Sequence, residues 1–415
     1  MTLKRGRVLI PSKLSQGILH SEYAVRGEIA IESERLKRLL EAGNSNLPFK
    51  RILPCNVGNP QALNQPPISF YRKVVALMES FDALGGTSNA KKISDLFAPA
   101  VYERASFYRS QLKNSMGAYS HSQGHLFIRK LIASFIEKRD SFSTAPDETS
   151  VSCDPDHIFL TNGASSAIQS VLSLVISDRS VGVLIPKPQY PLYSASISLL
   201  HGVPVFYSLQ EPAERFGRWT FSLEALKTSL TEARGRGVDV RALCIINPGN
   251  PTGNVLSCAD LEDIIEFCLN ERLVLLSDEV YQNNVWDSEV QFCSARKALL
   301  SASRKNPALL DAVEIFSFHS TSKGLLGECG KRGGYVACTN IDQEILSQFY
   351  KLMSISLCSA IDGQVMLGLM VDPLTPDADS EYEKHVQEIT AIKGKWCFDN
   401  FRIACKKGTN AFRGA

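Results

Sequence analysis

The sequence predicts an α/β fold with a mostly parallel sheet covered by helices, and three observations support this class. The chain has 415 residues, of which 44% are hydrophobic and 21% charged, as in a folded protein large enough for more than one domain. Its middle alternates short apolar, β-rich runs with helical patterns, which is typical of strands buried on both faces. Polar or glycine-rich motifs follow several of these runs.

Seven β-rich runs define the predicted sheet. They are residues 158–161, 181–185, 203–207, 242–246, 273–277, 313–318 and 334–338. Helical patterns lie between most of them, at residues 165–175, 222–233 and 258–271. Because a parallel pair of strands needs a crossover connection, this alternation favours a mostly parallel arrangement.

The flanking segments predict further helices and loops. Residues 21–40 form an amphipathic pattern that predicts one helix with a weak point at Gly27. Residues 53–67 are dense in Asn, Gly and Pro and predict a loop. Residues 372–383 are acidic and turn-rich, so we expect a surface excursion there, with a helical pattern resuming at Lys384.

The charge balance and the cysteine pattern argue against several classes of protein. There are 45 Lys and Arg against 43 Asp and Glu, so the net charge of +2 does not favour nucleic acid or anionic lipid. No apolar stretch approaches the ~18–20 residues that cross a bilayer. The 11 Cys include no C-x-x-C pair, which argues against a zinc ribbon. Cys244, Cys268 and Cys338 lie in apolar runs and predict buried thiols, which suits a reducing compartment rather than a disulfide scaffold.

The chain begins with a basic segment. Lys4, Arg5, Arg7 and Lys13 precede the first acidic residue, Glu22. Two interpretations are open: a short organelle-import segment, or a flexible basic arm. We therefore expect a cytoplasmic protein, or a mitochondrial one if the basic segment directs import.

Several common catalytic motifs are missing from the sequence. It contains no complete G-x-x-x-x-G-K-[ST], no G-x-G-x-x-G after a strand and no G-x-S-x-G. His121 and His125 are four residues apart, but they do not form H-E-x-x-H, and Gly124 argues against a helix between them. We predict no metal site.

Four motifs follow strands of the predicted sheet, and in an open α/β sheet ligands bind beyond the carboxyl ends of the strands. The first is TNGASS, residues 161–166, whose small residues and helix N-terminus would suit an anion or would merely cap the helix. The second is NPGNPTG, residues 247–253. Its two Asn-Pro turns fix the backbone, so a structural turn and a binding loop both fit.

The other two motifs carry charged side chains. SDEVY, residues 277–281, puts Asp278 at the end of a buried strand, where a carboxylate needs a protonated ring nitrogen or an internal ion pair. HSTSKG, residues 319–324, puts Lys323 just past another strand. There the amine would be a nucleophile of lowered pKa or would lie in a polar surface turn. Arg332 follows as a candidate anion clamp.

Together the four motifs supply a complementary set of groups. They offer a phosphate cradle, a carboxylate for a ring nitrogen, hydrogen-bond donors for a phenolic oxygen and a nucleophilic amine. This is the set that holds pyridoxal 5'-phosphate as an electron sink. The sequence therefore predicts that cofactor.

These motifs resemble those of the class I/II (fold type I) pyridoxal-phosphate-dependent aminotransferases, and specifically the alanine aminotransferase group. The similar segments are YAVRGEIAIESERL, LPCNVGNPQALNQPP, GAYSHSQG, NPGNPTG, SDEVYQNNVW and SFHSTSKGLLGECGKRGGY. The resemblance runs from about residue 17 to about residue 405. NPGNPTG and the lysine segment are typical of the superfamily, whereas GECGKRGGY and NVGNPQAL narrow it to the alanine or glutamate–glyoxylate type.

The resemblance implies a role for each matching residue at the cofactor ring. Lys323 would bind the cofactor covalently and then shuttle a proton. Asp278 would pair with the ring nitrogen. Asn250 and Tyr281 would hydrogen-bond the phenolate oxygen, and Tyr190 would stack on the ring face.

It also implies the contacts to phosphate, substrate and a second subunit. The phosphate would be bound by Ala164, Ser165, Ser320 and Arg332. Tyr119 would reach the phosphate of the neighbouring subunit, which implies a homodimer with shared active sites. Gly58 would approach the substrate carboxylate through its backbone.

The implied reaction is a ping-pong transamination between amino-acid and 2-oxo-acid substrates. L-Alanine would give its amino group to the cofactor and leave as pyruvate, and 2-oxoglutarate would collect it and leave as L-glutamate. Two alternatives are an aminotransferase of the glutamate–glyoxylate type and a truncated cofactor-binding homologue without turnover.

The resemblance also implies a division into domains. Residues 1–105 would form an N-terminal arm and part of the small domain, residues 106–350 the large cofactor-binding domain, and residues 351–415 the start of a C-terminal α/β small domain. Members of the group run on beyond this point and supply an Arg for the substrate α-carboxylate. Arg413 is not in that context, so we expect the small domain to be truncated.

Overall fold

One seven-stranded sheet organises the part of the chain that the computed structural model describes, which is residues 13–43, 46–54, 56–113, 116–142, 152–213, 217–285, 287, 289–376 and 379–394. The strand order is β1-β7-β6-β5-β4-β2-β3. The strands are β1 Ile158–Asn162, β2 Val181–Lys187, β3 Val203–Ser208, β4 Asp239–Ile246, β5 Val274–Asp278, β6 Ile315–Ser320 and β7 Gly333–Thr339. β7 is antiparallel to both neighbours, β1 and β6, and the other neighbouring strands are parallel. The predicted mostly parallel sheet of seven strands is confirmed.

Fourteen α-helices accompany the sheet within the described residues. They are α1 Gln16–His20, α2 Glu28–Glu41, α3 Ser69–Ser80, α4 Ala90–Leu96, α5 Pro99–Gln111, α6 Leu126–Asp140, α7 Ala164–Val175, α8 Leu192–Leu199, α9 Leu223–Gly235, α10 Cys258–Glu271, α11 Ala295–Lys305, α12 Gln343–Ile355, α13 Ile361–Val371 and α14 Asp379–Gly394. The helical patterns predicted within the sheet region are all observed, as α7, α9 and α10.

Most residues of the strands are apolar because helices cover both faces of the sheet. On one face, α7, α8 and α12 pack on side chains such as Val183 and Phe316. On the other face, α9, α10 and α11 pack on the intervening side chains, such as Leu184 and Leu275. Successive side chains of a strand point to opposite faces, so each strand contributes to both layers. A further core joins the β1 and β7 edge to α3, α5, α6 and α13.

Most strands extend further toward the carboxyl edge of the sheet than the sequence indicated, and two of them carry candidate site residues. β5 ends at Asp278 and β6 at Ser320, whereas the predicted runs ended at residues 277 and 318. The ladder continues there because Asn247 N–H donates to the Asp278 carbonyl and Glu279 N–H donates to the Phe318 carbonyl, both at 2.9 Å. Two candidate site residues therefore lie on the rigid sheet itself.

The prediction of one helix over residues 21–40 is wrong in its first part. A 3₁₀-helix covers Ala24–Arg26, and α2 begins only at Glu28. Gly27 adopts an extended conformation (φ −75°, ψ −173°) as the N-cap residue, so it separates two elements instead of weakening one. The predicted excursion over residues 372–383 is also partly wrong, because α14 already begins at Asp379.

Three of the six free cysteines among the described residues are buried, and two further cysteines are paired with each other. Cys244, Cys268 and Cys338 are buried and free, as predicted. Cys258 and Cys293, however, form a disulfide that joins the start of α10 to the segment before α11. The sequence pattern did not predict this pair.

Some expectations lie outside the described residues or stay predictions. The basic residues at positions 4–7 and Arg413 lie outside the described residues, and the domain boundaries stay a prediction. None of the helices in the described part of the chain is long and apolar enough to cross a membrane. No group of three or more His, Cys, Asp or Glu side chains that could hold a metal ion occurs in that same part.

Candidate active site

The candidate site lies at the carboxyl edge of the sheet, where the parallel strands end. Asp278 at the end of β5 pairs with Ile246 of β4 on one side and Phe318 of β6 on the other. β7 runs in the opposite direction, so it begins where the other strands end. Arg332, directly before β7, is therefore brought to the edge that carries Asp278.

Asp278 is a buried carboxylate that is held by two hydrogen bonds. It is 4% exposed. It accepts from the Tyr193 hydroxyl at 2.9 Å and from Val280 N–H at 3.3 Å. Burial raises the pKa of Asp278 to about 6, against the opposing effects of these two bonds and of the nearby Lys323 charge. A cationic group placed beside this carboxylate would be strongly favoured.

Lys323 meets Gly58 and Tyr281 near Asp278. Its ammonium donates to the Gly58 carbonyl and lies 6.0 Å from the centroid of the Tyr281 ring. A Cβ at Gly58 would lie 3.0 Å from Lys323 Nζ and 3.6 Å from the Tyr281 hydroxyl. Burial lowers the pKa of Lys323, and the Arg332 charge lowers it further, while Cys329 and Asp278 act in the opposite direction. A larger share of neutral, nucleophilic amine follows.

The start of α7 and Arg332 form an anion cradle, by which we mean Gly163, Ala164 and Arg332. Gly163 is the N-cap of α7 and has φ +80°, which favours glycine. A Cβ there would lie 2.3 Å from Arg332 Nη2, so the guanidinium packs directly on the glycine. Arg332 donates to the Asn162 carbonyl at 3.0 Å and to the Cys329 carbonyl at 2.9 Å. The free N–H groups of the 12-residue α7 and this guanidinium together suit a phosphate.

Two predicted phosphate-binding serines flank the cradle. Ser165 is half-buried in the first turn of α7. Ser320 is 2% exposed at the end of β6, and its hydroxyl accepts from Ser322 N–H at 3.3 Å. Gly334 of β7 lets the two sides approach closely, because a Cβ there would lie 2.4 Å from the Gly163 carbonyl carbon.

Tyr190 and Asn250 lie on loops beyond β2 and β4. The Tyr190 hydroxyl is 2.8 Å from that of Tyr23, and burial raises its pKa, with the Tyr23 hydrogen bond adding to the effect. Asn250 is half-buried and lines a shallow pocket with Pro188. Asn247 anchors the Asn250 loop: its amide donates to the Cys293 carbonyl at 3.1 Å and accepts from Leu256 N–H at 2.9 Å.

One predicted residue is largely exposed, and one contributor was missed. Tyr119 is 78% exposed on the described chain. Tyr193 was not singled out, although it lies in the same PQYPLY run as Tyr190 and its hydroxyl contacts Asp278. A phenol at the start of a helix beside the site was the available signal.

A buried carboxylate, an amine of lowered pKa and a glycine-lined cradle meet at one end of a mostly parallel sheet. This arrangement is that of an α/β protein with a site beyond its strand ends whose groups suit a phosphate-bearing ligand. A family model described as "Aminotransferase class I and II" matches residues 94–391, and the chain belongs to this family. The resemblance noted from the sequence is confirmed.

Individual relatives place the chain more closely. It is 41% identical to "Probable alanine aminotransferase, mitochondrial" of Dictyostelium discoideum, covering 90% of this chain and 66% of the relative. It is 40% identical to "Glutamate--glyoxylate aminotransferase 2" of Arabidopsis thaliana, covering 91% and 73%. The chain thus spans about two thirds to three quarters of the length of these curated relatives.

A solved structure has the same fold. The alanine aminotransferase from Pyrococcus furiosus superposes with a TM-score of 0.66 at 18% identity, covering 92% of this chain and 77% of that one. At this identity the likeness concerns the fold alone. The predicted fold type I architecture is confirmed.

Proposed function

We propose that this protein is a pyridoxal-phosphate-dependent aminotransferase that moves the amino group of L-alanine to 2-oxoglutarate by a ping-pong mechanism. The observation that carries the proposal is the meeting of Lys323, Asp278 and Gly58 at one edge of the sheet. The 41% identity to a probable alanine aminotransferase supports the choice of substrates.

The side chains at the edge fit the chemistry of this cofactor. A carboxylate whose pKa burial has raised to about 6 would gain most from a protonated ring nitrogen, and Asp278 is that group. The anion cradle would hold the phosphate. Asn250 and Tyr281 would donate to the phenolic oxygen, and burial, with the Asp278 charge next, raises the pKa of Tyr281 to about 12, which keeps its proton in place.

The reaction then divides among the residues of this chain. Pyridoxal phosphate, when bound, supplies an electron sink for the bond changes at the substrate α-carbon. The Lys323 amine would take the proton from that carbon and deliver it to the C4′ carbon of the cofactor. Asp278 holds a proton on the ring nitrogen, and the Gly58 backbone orients the substrate carboxylate. Tyr190 would exclude water from one face of the ring.

The glutamate–glyoxylate type is the second candidate. A relative of that name in Arabidopsis thaliana is 40% identical over 379 residues, nearly the value of the alanine-type relative. The two candidates differ only in which amino acid and oxo acid the same residues would receive. Initial rates with alanine, glutamate, glyoxylate and 2-oxoglutarate would separate them.

We further propose that the protein is a homodimer with shared active sites. Tyr119 is exposed on the single chain, as a residue that reaches the phosphate of a neighbouring subunit would be. The compartment is proposed to be cytoplasmic, or mitochondrial if the basic start directs import. Sedimentation of the purified protein would report the subunit number.

The test of the function uses the purified full chain with pyridoxal phosphate. We expect a visible absorption band that changes on addition of L-alanine, and trapping with borohydride at Lys323 by peptide mass. Lys323→Ala should abolish the trapping. Lys331→Ala is the control: it replaces a half-buried lysine paired with Asp362 at 3.0 Å, and trapping at Lys323 should persist in this variant. A band that no amino acid changes would indicate a binding protein without turnover, and no band would refute the proposal.

A further inference from the structure

A buried polar cluster lies behind Asp278, on the other side of its strand. We call it the rear network: Arg139 and Asp140 at the end of α6, Glu279 and Gln282 just after β5, and Ser294 and Arg296 at the start of α11. Asp140 and Glu279 are each 1% exposed and Arg296 is 6% exposed. Successive side chains alternate in an extended segment, so Glu279 points away from the site while Asp278 points into it.

One guanidinium holds the segment after β5 at two points. Arg139 Nη1 donates to Glu279 Oε2 and to Gln282 Oε1, each at 3.1 Å. Asp278 directly precedes the first of these residues, and Tyr281 directly precedes the second. Asp278 and Tyr281, the two candidates that would face the cofactor, are thus each followed directly by a residue that is hydrogen-bonded to Arg139.

The other contacts of the rear network fix Arg139 and Glu279 themselves. Asp140 accepts two bonds from Arg139, at 2.8 and 3.0 Å, and one from the Ser294 hydroxyl at 2.7 Å. Glu279 accepts from Ala295 N–H at 3.0 Å and from the Ser277 hydroxyl at 3.1 Å. The segment after β5 is therefore fastened to both α6 and α11.

Stability alone is a poor explanation for these buried charges. Replacing a buried ion network by apolar side chains of similar volume is often neutral or stabilising, because the desolvation cost disappears. Apolar contacts, however, do not fix the orientation of the side chains that make them. A planar guanidinium with several donors holds its partners at defined positions. The rear network is therefore better explained by a need to hold the residues after β5 at defined positions.

We propose that Arg139 and Glu279 are positioning residues that hold Asp278 and Tyr281 in the geometry the cofactor ring requires. The inference rests on the proposed function, since it concerns the same site. The side-chain hydrogen bonds of both residues described above run to the rear network, to Ser277 and to the backbone of Ala295, and not to Asp278 or Tyr281. Their effect is transmitted through the backbone of residues 278–282.

The test compares cofactor affinity with the order of this backbone segment. We expect Arg139→Met to raise the dissociation constant for pyridoxal phosphate roughly 10- to 100-fold, the usual effect of removing a supporting partner of a binding group. Amide hydrogen exchange of residues 278–282 should become faster in the cofactor-free protein. Arg139→Lys keeps the charge but not the forked geometry, and we expect intermediate values of both quantities.

Two further variants separate positioning from stability. Arg109→Met removes another buried arginine, which donates to the Met78 carbonyl at 3.0 Å and to Asp82 at 2.9 Å. It should lower the melting temperature without changing the cofactor dissociation constant. The double variant R139M/E279M leaves no unpaired carboxylate at residue 279, so its stability should recover while its cofactor affinity stays weak.

Each outcome of these measurements either supports or overturns the inference. If R139M/E279M recovers both stability and affinity, or if Arg139→Met binds as tightly as the wild type, the rear network is only structural and the inference is wrong. If the wild type binds no pyridoxal phosphate, the proposed function fails instead. Hydrogen exchange of the cofactor-free variants then still tests whether Arg139 orders residues 278–282, and unchanged exchange would overturn the inference.

Discussion

Replacing the buried carboxylate by an amide should stabilise the protein while weakening its site. Burial raises the pKa of Asp278 from 3.8 to about 6, a shift of about two units. At about 1.36 kcal/mol per unit, its ionisation at pH 7 costs the folded cofactor-free protein about 3 kcal/mol relative to the unfolded chain. Asn is neutral and of similar shape, and it can still accept from the Tyr193 hydroxyl. Asp278→Asn should therefore unfold with a free energy up to about 3 kcal/mol higher at pH 7.

The sign of the pH dependence makes this prediction sharper. Burial raises the pKa of Asp278 in the folded protein, so the destabilisation caused by its negative charge is complete well above pH 6. It declines as the pH falls through about 6, and it is gone below the pKa of the unfolded chain, near 4. The advantage of Asp278→Asn should shrink in the same way. Cofactor affinity should fall at every pH, because the amide cannot pair with a protonated ring nitrogen.

Urea unfolding of the cofactor-free proteins between pH 4 and pH 8 measures the effect. Asp95→Asn, which replaces an exposed carboxyl on α4, serves as the control and should change the unfolding free energy by less than about 0.5 kcal/mol. The reasoning is refuted if Asp278→Asn is less stable than the wild type at pH 7, or if its advantage does not depend on pH.

Three further predictions concern the surroundings of the site. Tyr193→Phe removes the hydrogen bond that lowers the pKa of Asp278, so in the same urea series the stability of the variant should begin to change at a higher pH than that of the wild type. Gly334→Ala puts a Cβ 2.4 Å from the backbone of the anion cradle. It should cost about 1–3 kcal/mol and weaken binding of pyridoxal phosphate, whereas Gly330→Ala, with open space around it, should do neither. Arg72→Ala leaves the buried Glu328 without its bidentate partner at 2.7 and 2.8 Å; because the Arg72 side chain is 42% exposed and the pair is partly screened by water, a loss of about 1–3 kcal/mol is expected in urea unfolding. A loss below about 1 kcal/mol would contradict that last estimate.

The strands could be predicted from the sequence because burial on both faces leaves a local signal. Each strand is a short apolar run, and the strand-end rule then singles out Asp278 and Lys323 without knowledge of the pairing. The order of the strands in the sheet, in contrast, could not be predicted from the sequence. The antiparallel placement of β7 between β1 and β6 depends on contacts between distant segments, and no local pattern encodes it.

The missed features are those that depend on contacts between distant segments or on one backbone conformation. The hydroxyl of Tyr193 reaches Asp278 across 85 positions of the chain, and Arg139 reaches Glu279 across 140. Gly27 could have continued the helix or ended it, and only its extended conformation in the structure decides between the two. The roles of the individual site residues stay predictions until the variants above are measured.

The position of β1 has a consequence for synthesis on the ribosome. β1 lies at the edge of the sheet and pairs with β7, and Arg332 reaches the Asn162 carbonyl across 170 positions of the chain. The two halves of the anion cradle are therefore translated far apart in time. Under the proposed function, a nascent polypeptide would bind pyridoxal phosphate only after β7 has left the exit tunnel. Until then the apolar β1 has no strand partner and is exposed to aggregation.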